Sequence, residues 1–198
     1  MTRMAIVSSY SESCGNATFT KVLHDTISQY SKYQVEVVEL DLVLLQSING
    51  SIRIAAARHI EELCSRLVTF DYVNIQLEAG LYGTLPNDIV RRLRKLMRAN
   101  PNTSVTLHSP RLVPNPTSSR SAIKQLLSLQ IKAALKNLMS DYHANIHNRL
   151  NRKIVREVAQ SGHAAIVHTA RARRQIKSLY NYDNVYVHPL RLVPDEFQ

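Results

Sequence analysis

The sequence is poor in the residues that usually announce a site. Cysteine occurs only twice, as Cys14 and Cys64. The two lie far apart without metal-type spacing, which argues against a disulfide-built scaffold and for a reduced, cytoplasmic compartment. Glycine is scarce, five in 198 residues, and neither G-x-G-x-x-G nor a Walker pattern is present, so no complete nucleotide fingerprint exists. There is no nucleophile elbow. His143 and His147 stand four apart but lack the carboxylate of H-E-x-x-H. They read as surface histidines, and no metal is expected. No apolar run approaches the ~20 residues of a membrane-spanning helix. The start, MTRMAIVSSY, reads as a strand and not as a secretion signal. Repeats and low-complexity segments are absent.

Positive charge is abundant but uneven. Residues 1–84 carry a formal charge of −3 and residues 85–198 carry +13. This asymmetry points to an anionic partner near the second half: a phosphorylated substrate, an anionic membrane surface or nucleic acid. A solvated basic surface accounts for it equally well. Nucleic acid is disfavoured, because aromatic residues are not interleaved with the basic runs as stacking platforms.

Strand and helix patterns alternate six times. Strands are expected at Met4 to Ser8, Val35 to Leu40, Tyr72 to Leu77, the run ending at His108, Ala164 to Val167 and Val185 to Val187. Helices are expected at Phe19 to Tyr30, with Phe19, Val22, Leu23 and Ile27 on one face, and at Ser51 to Val68. Others are expected around Ile89 to Arg98, at 119–141, at 143–159 and at Ala170 to Tyr180. Asp41 to Gly50 and the proline-rich stretch after His108 read as loops. The pattern implies an α/β fold: a doubly wound, mostly parallel, Rossmann-like sheet. It would occupy 1–190 as one domain.

The centre of this reading is one βαβ unit, FDYVNIQLEAGLYGTLPNDIVRRLRKLMRANPNTSVTLHS. Its first strand stops at Glu78 and its second at His108. In open parallel sheets ligands bind beyond the carboxyl ends of the strands, so both residues should face one crevice. His168 and His188 also follow strands directly. A histidine so placed can hydrogen-bond a sugar hydroxyl, contact a phosphate or move a proton near neutral pH; alternatively, His168 and His188 only satisfy backbone groups. Gly15 and Asn16 precede a helix and form an anion cradle or merely shape and cap the turn. Arg171, in the first turn of its helix, could meet an anion in the same crevice. The basic helix between the two central strands could lie on an anionic membrane surface, although an ordinary solvated face explains it too.

The segments AIVSSYSESCGNATFT, FDYVNIQLEAGLYG, VTLHSPRL, AAIVHTARARRQI and NVYVHPL, in this order, resemble the N-terminal domain of GT-B glycosyltransferases of the group that includes the large retaining family four. The resemblance spans nearly the whole chain and is most specific at NIQLEAGLYG and VTLHS. It implies transfer of a sugar from a nucleotide-sugar to a glycan or lipid-linked acceptor, with no metal and no cofactor beyond that donor. By the same resemblance Gly15 and Asn16 approach the donor phosphates and His108 lies near the transferred sugar. Glu78 shares the catalytic role, and its loop, with Gln76, Gly80 and Tyr82, lines the acceptor side together with His168, Arg171 and His188. It also implies that 191–198 begin an interdomain linker. The C-terminal, donor-binding domain would be supplied in cis or in trans, and the chain alone would be inactive. The competing expectation is a non-catalytic basic module for an anionic surface, peripheral at the inner face of the membrane.

Overall fold

The computed structural model describes residues 1–11, 15–108, 110, 112 and 131–189, with backbone only for 131–145. Cys14, most of the proline-rich loop, the start of the helix expected at 119–141 and the segment 191–198 lie outside the described residues. The chain divides into two compact units. One comprises Met1–Ser109 with Arg156–Gln198, and the other Pro110–Val155.

The first unit holds six strands: β1 (Arg3–Ser8), β2 (Gln34–Glu39), β3 (Tyr72–Leu77), β4 (Thr103–Leu107), β5 (Ala164–Val167) and β6 (Val185–Val187). They form one sheet of order β2-β1-β3-β4-β5-β6, and every pairing is parallel. The helices are α1 (Gly15–Tyr30), α2 (Leu42–Gln46), α3 (Gly50–Leu67), α4 (Pro86–Ala99), α5 (Ile131–Ser161) and α6 (Ala170–Tyr180). The expected doubly wound α/β fold is thus present. The chain steps one way from β1 to β2 and the other way from β3 onward. With right-handed crossovers, α1 covers one face and α3 and α4 the other. The reversal on either side of β1 creates the switch point at which such sheets bind ligands.

Much of the sheet is apolar, as strands covered on both faces are. Ala5, Ile6, Val7, Val73, Ile75, Val105, Ala165 and Val167 are all essentially inaccessible. Leu93, Leu96 and Met97, on the apolar stripe of α4, are equally buried. Local chemistry sets the helix ends. The Asp41 carboxylate accepts from Leu44 N–H at 3.0 Å and starts α2. Asn49 caps α3, Pro86 occupies the first turn of α4, and Thr169 Oγ1 accepts from Ala172 N–H at 3.1 Å to start α6. Gly162, at φ +76°, closes α5.

Three local expectations are corrected. Asp41 to Gly50 is not wholly loop: Leu42 and Leu45 are buried on the short α2, which the Asp41 cap makes possible. The helices expected at 119–141 and 143–159 do not break at residue 142; α5 runs unbroken through it, since neither Gly nor Pro interrupts 131–161. On α1 the inward residues are Ala17, Phe19 and Thr20, whereas Val22 is exposed.

Candidate active site at the strand ends

Register alone assembles the site. Leu77 pairs with Leu107, Leu107 with Val167, and Val167 with Val187. One residue further along each strand stand Glu78, His108, His168 and His188. They are therefore neighbours in one row across β3, β4, β5 and β6. Two hydrogen bonds hold the row in step: His108 N–H donates to Leu77 O at 3.3 Å and His188 N–H to Val167 O at 2.8 Å. At the spacing of parallel strands the row spans ~14 Å.

The rings of this row differ in environment. His108 is half-buried. Phe19, reaching over from α1, packs edge-on to it with ring centroids 4.9 Å apart, and edge-on to His168 at 5.8 Å. The two imidazoles are tilted against each other at 5.1 Å. Burial, assisted by the neighbouring His168, pushes the His108 pKa down to about 4. The ring is therefore neutral at pH 7 and can hydrogen-bond a ligand without carrying a charge. His168 donates Nδ1–H to the His188 carbonyl at 2.8 Å. Its Nε2 is buried with no partner among the described residues. His188 itself is exposed, so it supports the row with its carbonyl. Glu78 is exposed at the start of a 3-10 turn, Ala79–Tyr82.

Behind His108 lies a buried polar ladder. Asn74 and Gln76 of β3 alternate with apolar residues and face Ser104 and Thr106 of β4. Asn74 Nδ2 donates to Ser104 Oγ at 2.9 Å and Thr106 Oγ1 at 3.1 Å. Gln76 Nε2 donates to Asn74 Oδ1, and Gln76 Oε1 meets His108 Nε2 at 2.7 Å. Gln76 is wholly buried and so does not line the cleft as expected; it stands behind the histidine. Tyr82 also departs from expectation. It is completely buried, and its hydroxyl donates to the Gln76 carbonyl at 2.9 Å. Burial pushes that phenol far above its ordinary pKa. Tyr82 is a support of β3, not a cleft residue.

The loop that follows Glu78 is clamped by side chains of α4 and α2. Arg92 on α4 is buried, and its Nη1 donates to Leu45 O at 2.7 Å and Tyr82 O at 2.8 Å. Gln46 Nε2 donates to Gly80 O at 3.0 Å. Gly80 itself is exposed. Gly83, at φ +144°, lets the chain pass the guanidinium, since a Cβ there would lie 2.8 Å from Arg92 Nη1.

Tyr10 and Ser11, just after β1, are also tied down. Burial opposes ionisation of Glu39, but hydrogen bonds from Ser11 and Tyr10 outweigh it and hold the carboxyl below its usual pKa. The amides of Tyr10 and Ser11 are therefore already occupied. Gly15 and Asn16 form the first turn of α1, and the Asn16 carbonyl pairs with Thr20 Oγ1 at 2.8 Å. Thr20 in turn pairs with the buried Ser8 hydroxyl at 2.7 Å.

Arg171 is exposed in the first turn of α6. The basic face of α4 is largely committed within the protein. Arg91 and Arg53 bind Asp88, Arg94 binds Glu157 with two hydrogen bonds of 2.8 and 2.6 Å, Lys95 binds Glu61, and Arg92 is the buried clamp. Among the described residues no cluster of three or more His, Cys, Asp or Glu could hold a metal ion, and no helix is long and apolar enough to cross a membrane.

The residues missed by sequence reasoning are Phe19, the ladder members Asn74, Ser104 and Thr106, Glu39 and Arg92. A signal existed for the ladder, because N-x-Q and S-x-T-x-H place polar residues at every second position, on one face of two apolar strands.

Fold and site together define a doubly wound α/β protein with a histidine-rich rim at the carboxyl ends of its central strands. No family profile and no curated protein matches the sequence. Among solved structures the chain is similar to FerB, a flavoenzyme NAD(P)H:(acceptor) oxidoreductase from Paracoccus denitrificans. The identity is 15%, over 64% of this chain and 71% of that one, with a TM-score of 0.34. A superposition that loose carries no argument about function.

Proposed function

We propose that the row Glu78–His108–His168–His188 binds the hydroxyl-bearing partner in a sugar transfer, so that the chain acts as the acceptor-side half of a glycosyltransferase. The observation that carries this reading is the register: four polar strand-end residues, read separately from the sequence, are neighbours in one line. Sugar recognition needs several hydrogen-bonding groups at fixed spacing on a rigid platform, and ends of parallel strands provide that. His108, neutral and held from behind, is suited to orient a hydroxyl. Glu78, exposed beside it, supplies the carboxylate that can receive a hydroxyl proton. In the enzymes that this sequence resembles, a second lobe holds the donor nucleotide; here that lobe acts in cis or in trans.

The test is equilibrium binding of methyl glycosides of glucose, mannose and galactose, and of UDP-glucose and GDP-mannose, to the wild-type chain, Glu78→Gln and His108→Ala. Loss of one good hydrogen-bonding partner in such a site corresponds to about a tenfold weakening. Tenfold weaker glycoside binding in both variants supports the reading. Equal binding by all three chains, or none by any, contradicts it.

A further inference from the structure

The hydrogen bonds of the buried ladder have a direction, and it can be traced from one fixed end. The Val73 carbonyl can only accept, so Ser104, 3.4 Å away, gives it the hydroxyl proton. Ser104 Oγ then accepts from Asn74 Nδ2 at 2.9 Å. This orients the Asn74 amide, whose oxygen faces Gln76 Nε2 and accepts from it. Gln76 is left with its own oxygen, Oε1, towards His108 Nε2 at 2.7 Å. An amide oxygen only accepts, so His108 must carry its proton on Nε2. Its lone pair is then on Nδ1. Thr106 Oγ1 lies 3.1 Å from Asn74 Nδ2 and 3.4 Å from Asn74 Oδ1; as a hydroxyl it serves either orientation, so Ser104 alone sets the direction.

We propose that Gln76 is the positioning residue of this site: anchored through Asn74 and Ser104, it locks His108 as the Nε2–H tautomer, so that the ring offers a ligand a lone pair at Nδ1 and takes a donor group such as a sugar hydroxyl. The ligand class rests on the reading of the row as a sugar site; the tautomer lock does not. An ionised phosphate oxygen is acceptor-only and would face another acceptor at Nδ1. An amide at position 76 is also the side chain that serves both ends. A carboxylate would accept from His108 but could not donate to Asn74, and its charge would draw a second proton onto the ring. An apolar residue would leave a buried N–H without a partner.

The experiment is a two-bond nitrogen–proton correlation spectrum of the full chain with labelled histidine. In the wild type, His108 Nε2 is expected to be protonated and Nδ1 bare. Gln76→Met should shift the ratio of Nε2–H to Nδ1–H by at least about tenfold, the scale of an unsatisfied buried donor. Gln76→Glu should keep Nε2 protonated and raise the His108 pKa, and it decides the matter if the methionine variant does not fold. A bare Nε2 in the wild type, an unchanged ratio in Gln76→Met, or an unchanged His108 pKa in Gln76→Glu overturns the lock. Adding methyl glucoside should move the Nδ1 resonance, and methyl phosphate at about pH 8, where it is doubly ionised and has no O–H to donate, should not. The reverse overturns the ligand class while leaving the lock standing.

Discussion

His108 and His168 lie with ring centroids 5.1 Å apart, and their hydrogen bonds give them opposite tautomers. His108 is protonated at Nε2, towards Gln76, and His168 at Nδ1, towards the His188 carbonyl. Both rings therefore keep one lone pair, and neither needs a charge. A neutral, paired arrangement of this kind makes the site sensitive to acid in a defined window.

Folded His108 titrates at about 4, against 6.5 for an unrestrained imidazole. Below about pH 6.5 the unfolded chain takes up a proton that the folded chain does not accept until about pH 4. Stability therefore falls as the pH drops through that interval, by up to about 3 kcal/mol, and this component is constant below it. Urea unfolding as a function of pH should show the loss in the wild type and a smaller one in His108→Asn. Identical pH profiles would contradict the buried, neutral ring.

Phe19 is the cover that keeps water from both imidazoles. Phe19→Leu should raise the His108 pKa towards its ordinary value, because part of the desolvation is relieved. Phe19→Ala should raise it further, while costing about 3 to 5 kcal/mol of stability. Proton NMR titration of the His108 ring checks the order; no movement in either variant would place the cause of the low pKa elsewhere.

Arg92 and Gly83 act as one clamp under the Glu78 loop. Arg92→Met leaves the Leu45 and Tyr82 carbonyls without their donor and should cost about 2 to 4 kcal/mol. Gly83→Ala forces a Cβ against the guanidinium at a backbone angle that favours glycine, with an expected cost of about 1 to 3 kcal/mol. The double variant should lose less than the sum of the two, since they share one contact. Additive losses in denaturant unfolding would show that the two residues act separately.

Asn100 caps the C-terminal end of α4 and is buried. Its Nδ2 donates to Leu67 O at 3.0 Å and Phe70 O at 2.7 Å, and its Oδ1 accepts from Asn102 N–H at 2.8 Å. Asn100→Ala should cost about 2 to 3 kcal/mol, whereas Asn102→Ala, at a partly exposed position, should cost less. Thermal unfolding of the two variants tests this ranking.

Much of the framework was legible in the sequence because it depends on local pattern. Apolar runs that stop at Glu78, His108, His168 and His188 marked both the strands and their ends, and parallel register did the rest. The Asp41 cap of α2 and the continuity of α5 across residue 142 were also local signals, and closer attention to caps and to the absence of breakers could have found them. The interior of the site was hidden for a different reason. Arg92 meets Leu45, Gln76 meets His108, and Glu39 meets Ser11 across separations of 47, 32 and 28 residues. Each pairing depends on strand order and register, which no single segment encodes. The resemblance implies that Gln76 and Tyr82 line the cleft with the Glu78 loop, yet Gln76 is turned into the interior and the 3-10 turn buries Tyr82 with its hydroxyl on the Gln76 carbonyl.

The most direct measurement is residue-level NMR mapping of the intact chain titrated with methyl glucoside, methyl mannoside and methyl galactoside. At least one glycoside should perturb Glu78, His108 and His168 together, and the perturbation should vanish in His108→Ala. Shifts confined to other surfaces, such as the shallow cleft of Arg98 and His163, or glycoside binding that His108→Ala leaves intact, would contradict a sugar site at the strand ends.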